Sequence, residues 1–137
     1  MKNTKTICII DDDDIYLFLS KKTIAKFNPE IRMTTFVNGE EAILSFKKMI
    51  LANEVLPEII LLDINMPILD GWQFMDEFLK INPPPDKSVS IYITSSSLDP
   101  ADIERSKRYE AVKGFLHKPL DTETLVRICT LNKNVAQ

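Results

Sequence analysis

Five short apolar segments rich in β-branched residues recur along the chain: TICII (6–10), RMTTFV (32–37), EIILL (58–62), VSIYIT (89–94) and KGFLH (113–117). Runs of this length and composition read as strands. The stretches 14–27, 39–53, 70–81, 100–110 and 121–132 are longer, mix polar with apolar residues, and read as helices. Strand and helix therefore alternate five times, which predicts an α/β fold with helices flanking a parallel sheet. TICII and EIILL are apolar without a break, as strands covered on both faces must be. RMTTFV is half polar and belongs nearer an edge.

Local punctuation supports these boundaries. Asp13 can cap a helix beginning at Asp14, Gly39 opens the second helix, and Asp99-Pro100 pairs a capping residue with proline at the first helical position. Asp121, followed by Thr122 and Glu123, is a similar start. Pro83-Pro84-Pro85 must be a rigid connection, because proline lacks the N–H that a helix or strand would use.

A length of 137 residues with 45% hydrophobic content fits one compact domain, expected over 5–132 with a short tail at 133–137. Seventeen basic residues stand against 20 acidic ones, and no dense Lys/Arg run marks a nucleic-acid or anionic-membrane footprint. Direct DNA binding and membrane insertion are therefore not expected. The N-terminal apolar run is too short for a signal-peptide core, so a cytoplasmic location is expected. Cys8 and Cys129 lie in apolar stretches and read as buried reduced thiols.

Open parallel sheets place their ligand site at the carboxyl ends of the strands. The first predicted strand runs into Asp11-Asp12-Asp13-Asp14, the third into Asp63, the fourth ends in Thr94-Ser95, and the fifth leads into Lys118-Pro119. Asp13 and Asp14 suit a helix N-terminus, whose partial positive charge favours carboxylates. Asp11 and Asp12 follow directly on a buried strand, where two like charges repel unless a cation sits between them. Mg²⁺ prefers a few carboxylate oxygens together with water and phosphate oxygens. Asp63 is held at a rigid strand end, where its carboxylate can attack phosphorus once neighbouring charges neutralise the phosphoryl oxygens. Lys118 offers a compact ammonium for those oxygens, and Thr94 a hydroxyl.

The motifs IIDDDD, LLDINMPILDGW, ITSSS and GFLHKPL, in this order and spacing, resemble the receiver domain of two-component response regulators from about residue 6 to 131. The resemblance implies a flavodoxin-like (βα)₅ three-layer sandwich with a five-stranded parallel sheet of order 2-1-3-4-5. It implies phosphorylation of Asp63 by a sensor histidine kinase or a histidine phosphotransfer protein. It further implies Mg²⁺ held by Asp11, Asp12, Asp63 and the backbone carbonyl of Asn65. Lys118 would pair with the phosphoryl group, Thr94 would move to bond it, and Phe115 would be the switching aromatic. The Lys118-Pro119 peptide would be cis. Ser95 stands where many receivers carry Ala, and Asn65 and Ser96 where the family tunes access of hydrolytic water. His117 reads as a rim residue.

The expected function is that of a stand-alone phosphoacceptor rather than an enzyme with turnover. It would act on a downstream protein through the surface of the fourth helix, fifth strand and fifth helix. A degenerate receiver that only docks and a phosphorelay intermediate are the alternatives within the family. A haloacid-dehalogenase-like phosphatase would carry its nucleophile in a DxD pair at the first strand. Here the lone acceptor candidate lies mid-chain.

Overall fold

The structure is a computed structural model. It describes residues 4–66, 68–83, 88–97 and 99–135, the last five by their backbone alone. Its elements are β1 (Thr6–Ile10), α1 (Asp14–Phe27), β2 (Arg32–Phe36), α2 (Gly39–Leu51), β3 (Ile59–Asp63), α3 (Gly71–Ile81), β4 (Ser90–Ser95), α4 (Pro100–Ser106), β5 (Val112–His117) and α5 (Thr122–Val135). The strands form one parallel sheet in the order β2-β1-β3-β4-β5. The half-polar second segment lies at an edge and the unbroken apolar ones in the centre, as their composition requires.

Alternation along the strands sends side chains to two faces. Cys8, Ile10, Ile60, Leu62, Ile91 and Ile93 join α2 and α3 residues in one core. Ile7, Ile9, Ile59, Leu61, Tyr92 and Leu116 join α1 and α5 residues in the other. In the first core Phe46, Phe74 and Phe78 are fully buried and in mutual ring contact. Burial of each such ring contributes about 1.5–3 kcal/mol.

Three boundaries differ from the sequence expectation by two residues or more. The second helix stops at Leu51 rather than 53, because Asn53 takes a left-handed φ of 58° and Glu54 N–H donates to Met49 O at 2.8 Å. This is a helix-ending motif that asparagine tolerates. The fourth helix ends at Ser106 rather than 110, where Ser106 Oγ donates back to Ile103 O at 2.7 Å and the chain turns through Lys107–Tyr109. The fifth helix continues to Val135, into the stretch expected to be a tail. Pro67, Pro84 and Pro85 lie outside the described residues.

Cys8 and Cys129 are buried on opposite faces of the sheet and form no disulfide. Burial pushes the Cys8 thiol pKa far up. Among the described residues no helix is long and apolar enough to cross a membrane.

Candidate functional site

The alternation that builds the α1/α5 core also builds the site. Residues 7 and 9 of β1, 59 and 61 of β3, 92 of β4 and 116 of β5 all face that core. One step further along each strand, the same parity arrives at Asp11, Asp63, Thr94 and Lys118. The sheet register puts Asp63 directly beside Thr94, and Lys118 N–H donates to Ser95 O at 2.9 Å, which fixes the end of β5 against β4. Four positions scattered through the chain thus meet at one rim.

The carboxylates of Asp11, Asp12 and Asp63 each place an oxygen within 4.8 Å of the others. Asp11 and Asp63 are buried and Asp12 is exposed. Lys118 Nζ lies 2.6 Å from Asp11 Oδ2 and 3.5 Å from Asp63 Oδ2. Asp11 Oδ1 accepts from Asp13 N–H at 2.9 Å, and Asp63 Oδ1 accepts from Asn65 N–H at 3.1 Å.

Burial is the main reason that the carboxyl pKa of Asp11 is raised, against the lowering effect of Lys118. Burial likewise raises that of Asp63, and the nearby Asp11 charge adds to it. Desolvation works against the Lys118 ammonium, yet its contacts with Asp11 and then Asp63 outweigh it and the pKa is raised. Burial of two carboxylates beside a single ammonium accounts for the raised values of Asp11 and Asp63, and contact with those carboxylates for that of Lys118. A hard divalent cation fits this surplus, because the donors are all oxygens and Asp12 leaves one side open to water.

Thr94 is buried, and its Oγ1 has no hydrogen-bond partner among the described residues. The neighbouring Ser95 hydroxyl, by contrast, is bonded to the backbone of Ser97. Thr94 Oγ1 lies beside Asp63 in the register and is placed to donate to an acceptor oxygen there. Phe115 is half-buried and packs on the opposite face, against the α2/α3 core. The Lys118-Pro119 peptide is cis. His117 is exposed at the rim, as are Asn65 and Ser96 beyond the ends of β3 and β4.

The family model described as the response regulator receiver domain matches residues 7–130. The chain belongs to that family. Chemotaxis protein CheY of Thermotoga maritima is 29% identical over 129 residues, covering 94% of this chain and 96% of that protein. A two component response regulator from Cytophaga hutchinsonii is 29% identical, with a TM-score of 0.87 over 97% of this chain and 99% of that one. A response regulator receiver protein from Dyadobacter fermentans, 24% identical, shares the fold with a TM-score of 0.77 over 94% and 98% of the two chains. Receiver domains belong to two-component systems, typically bind Mg²⁺, and interact with histidine kinases and downstream targets.

Two features of this receiver were not found from the sequence. The first is the Tyr16 ring, whose centroid lies 4.7 Å from Lys118 Nζ. The second is a clasp between α3 and α4. Trp72 stacks on Tyr109 at 5.8 Å and 20°, Arg105 lies 4.9 Å over the Trp72 ring, and Tyr109 Oη donates to Asp76 Oδ1 at 2.8 Å. Both join residues far apart in the chain, and no local spacing announces either.

Gly71 connects this clasp to β3, which ends at Asp63. A Cβ there would lie 2.6 Å from Ile64 Cα and 3.0 Å from Asp63 O, so α3 is seated directly on the backbone at the end of β3. Gly71→Ala is expected to destabilise the protein by about 1–3 kcal/mol or slightly more. Urea unfolding measures this, and an unchanged midpoint would show that the loop yields freely.

Proposed function

We propose that this receiver takes a phosphoryl group onto Asp63 from the phosphohistidine of a sensor histidine kinase or histidine phosphotransfer protein. The observation that carries the reading is the Asp63 carboxylate, buried at a strand end with Asp11 and Asp12 within 4.8 Å and the Lys118 ammonium at 3.5 Å. An Asp63 carboxylate oxygen attacks phosphorus, the P–N bond breaks, and the imidazole leaves with the bond's electron pair. Asp11, Asp12, Asp63 and the Asn65 carbonyl would hold Mg²⁺, which would neutralise charge on the phosphoryl oxygens. Lys118 pairs with one of those oxygens. The Thr94 hydroxyl turns to donate to another, and the Phe115 ring turns inward as Thr94 shifts. The α4-β5-α5 surface then changes its affinity for a downstream protein.

Beside the acid cluster, α1 exposes Ile15, Phe18 and Leu19. These large apolar residues make α1 the docking face for the donor protein. The same reading takes 5–132 as one receiver domain acting in the cytoplasm. It makes the chain a participant in its own phosphorylation and dephosphorylation rather than an enzyme with other substrates.

The test is incubation with acetyl phosphate, with and without Mg²⁺, followed by intact-mass measurement. A gain of about 80 Da, one phosphoryl unit, is expected only with the metal. Phe18→Ser should leave this reaction unchanged and slow transfer from a phosphorylated histidine phosphotransfer protein. Persistent absence of the adduct would refute the acceptor assignment, and equal transfer to the Phe18 variant would refute the docking face.

A further inference from the structure

We propose that Tyr16 is the positioning residue for Lys118, and that its aromatic face, not its phenol, sets how fast Asp63 accepts a phosphoryl group. The inference rests on the phosphoacceptor reading and adds to it a residue outside the motifs that identify the family.

Tyr16 stands in the first turn of α1, two residues past the start of the helix, and is 7% exposed within the α1/α5 core. Asp13 fixes that turn, since its Oδ1 accepts from Ile15 N–H at 3.0 Å and from Tyr16 N–H at 3.2 Å. The ring is therefore held by the same loop that carries Asp11 and Asp12. Above it lies the Lys118 ammonium, 4.7 Å from the centroid. The Lys118 side chain is only 18% exposed, although it ends a flexible four-carbon stem. Three neighbours confine it: Asp11 at 2.6 Å, Asp63 at 3.5 Å and the ring.

The three neighbours differ in what happens when the site is used. The carboxylates of Asp11 and Asp63 are also the donors of the acidic cluster, so a bound cation competes with Lys118 for them. The ring does not take part in that exchange. An aromatic face attracts a cation through its quadrupole, worth about 0.5–2 kcal/mol according to exposure, and it adds no formal charge to a site already in surplus. A carboxylate in the same place would hold the ammonium as an ion pair. An aliphatic side chain would desolvate it without compensation. A neutral π face keeps Lys118 at the rim while leaving its N–H donors free to point at an incoming phosphoryl oxygen.

The experiment compares wild type, Tyr16→Phe, Tyr16→Leu and Tyr16→Met, each also combined with Lys118→Met. The rate of adduct formation from acetyl phosphate and Mg²⁺ is the readout, and thermal midpoints are recorded in parallel. Tyr16→Phe should stay within about two-fold of wild type, and the aliphatic variants should slow by about 3- to 10-fold, from the range of such contacts. In the Lys118→Met background the aliphatic substitutions should cost nothing further, because the interaction they remove is already gone. If Tyr16→Leu and Tyr16→Met match Tyr16→Phe, or slow the reaction equally with and without Lys118, the ring is only core packing and the proposal is overturned. The use of two aliphatic variants guards against one of them folding poorly. No adduct on the wild type would overturn the acceptor reading itself, which is a separate outcome.

Discussion

Asp63→Asn is expected to form no phosphoryl adduct at all and, in the absence of divalent metal, to melt at a higher temperature than the wild type. The first result follows from the nucleophilic role proposed for the Asp63 carboxylate. The second follows from the charge count at the site. Asp11 already has the ammonium at 2.6 Å, so Asp63 is the surplus buried charge, and the repulsion from Asp11 is among the causes that raise its pKa. Asn keeps the shape and a carbonyl oxygen able to accept from Asn65 N–H. Relief of about 1–2 kcal/mol would raise the midpoint of a domain this size by about 3–8 °C.

The pH dependence distinguishes this cause from general repacking. Because the folded-state pKa of Asp63 is raised above 3.8, folding favours its protonated form. The wild type therefore loses stability relative to the variant as the pH rises through the window above 3.8. The gap should close again below that value, where both side chains are neutral. Melting curves in EDTA across this range measure it, and a gap independent of pH would mean that charge is not the reason.

The fold could be read from the sequence because its information is periodic. The β1, β3 and β4 segments are apolar runs bounded by Asp, Pro or Ser, and the structure shifts their edges by one residue at most. The meeting of the candidate residues was readable for the same reason: Asp11, Asp63, Thr94 and Lys118 lie at or just past strand ends, and parallel strands bring their ends together. Where prediction fell short, the deciding contacts are nonlocal or depend on a single φ. The fourth helix looked longer because residues 107–110 are helix-compatible. Tyr109 instead leaves the helix to stack on Trp72 and bond Asp76, which lies 33 positions earlier in the chain. Asn53 was a usable signal for the end of α2, since asparagine enters the left-handed region more readily than most residues. Tyr16 gave no signal, because an aromatic residue in an amphipathic helix reads as core, and core is also what it is.

Lys118→Met should have the opposite effect to Asp63→Asn. The substitution keeps most of the stem and removes the only ammonium in contact with Asp11 and Asp63 among the described residues. Asp11, whose side chain is 1% exposed, then has no cation within reach among the described residues. Removing one partner of a buried ion pair costs about 3–5 kcal/mol, most of it from the charge left behind. The loss should be largest at neutral pH in EDTA and smaller in acid, where a protonated Asp11 no longer needs a partner. Mg²⁺ offers Asp11 a replacement cation, so titrating it into the variant should recover stability with a larger shift in midpoint than in the wild type. Unfolding curves with and without metal test both statements together. Equal metal-induced shifts in the two proteins would mean that Lys118 and the cation do not compete for Asp11. A competition confirmed in this way would establish that Lys118 and the metal share Asp11, with Lys118 as its partner when no metal is bound.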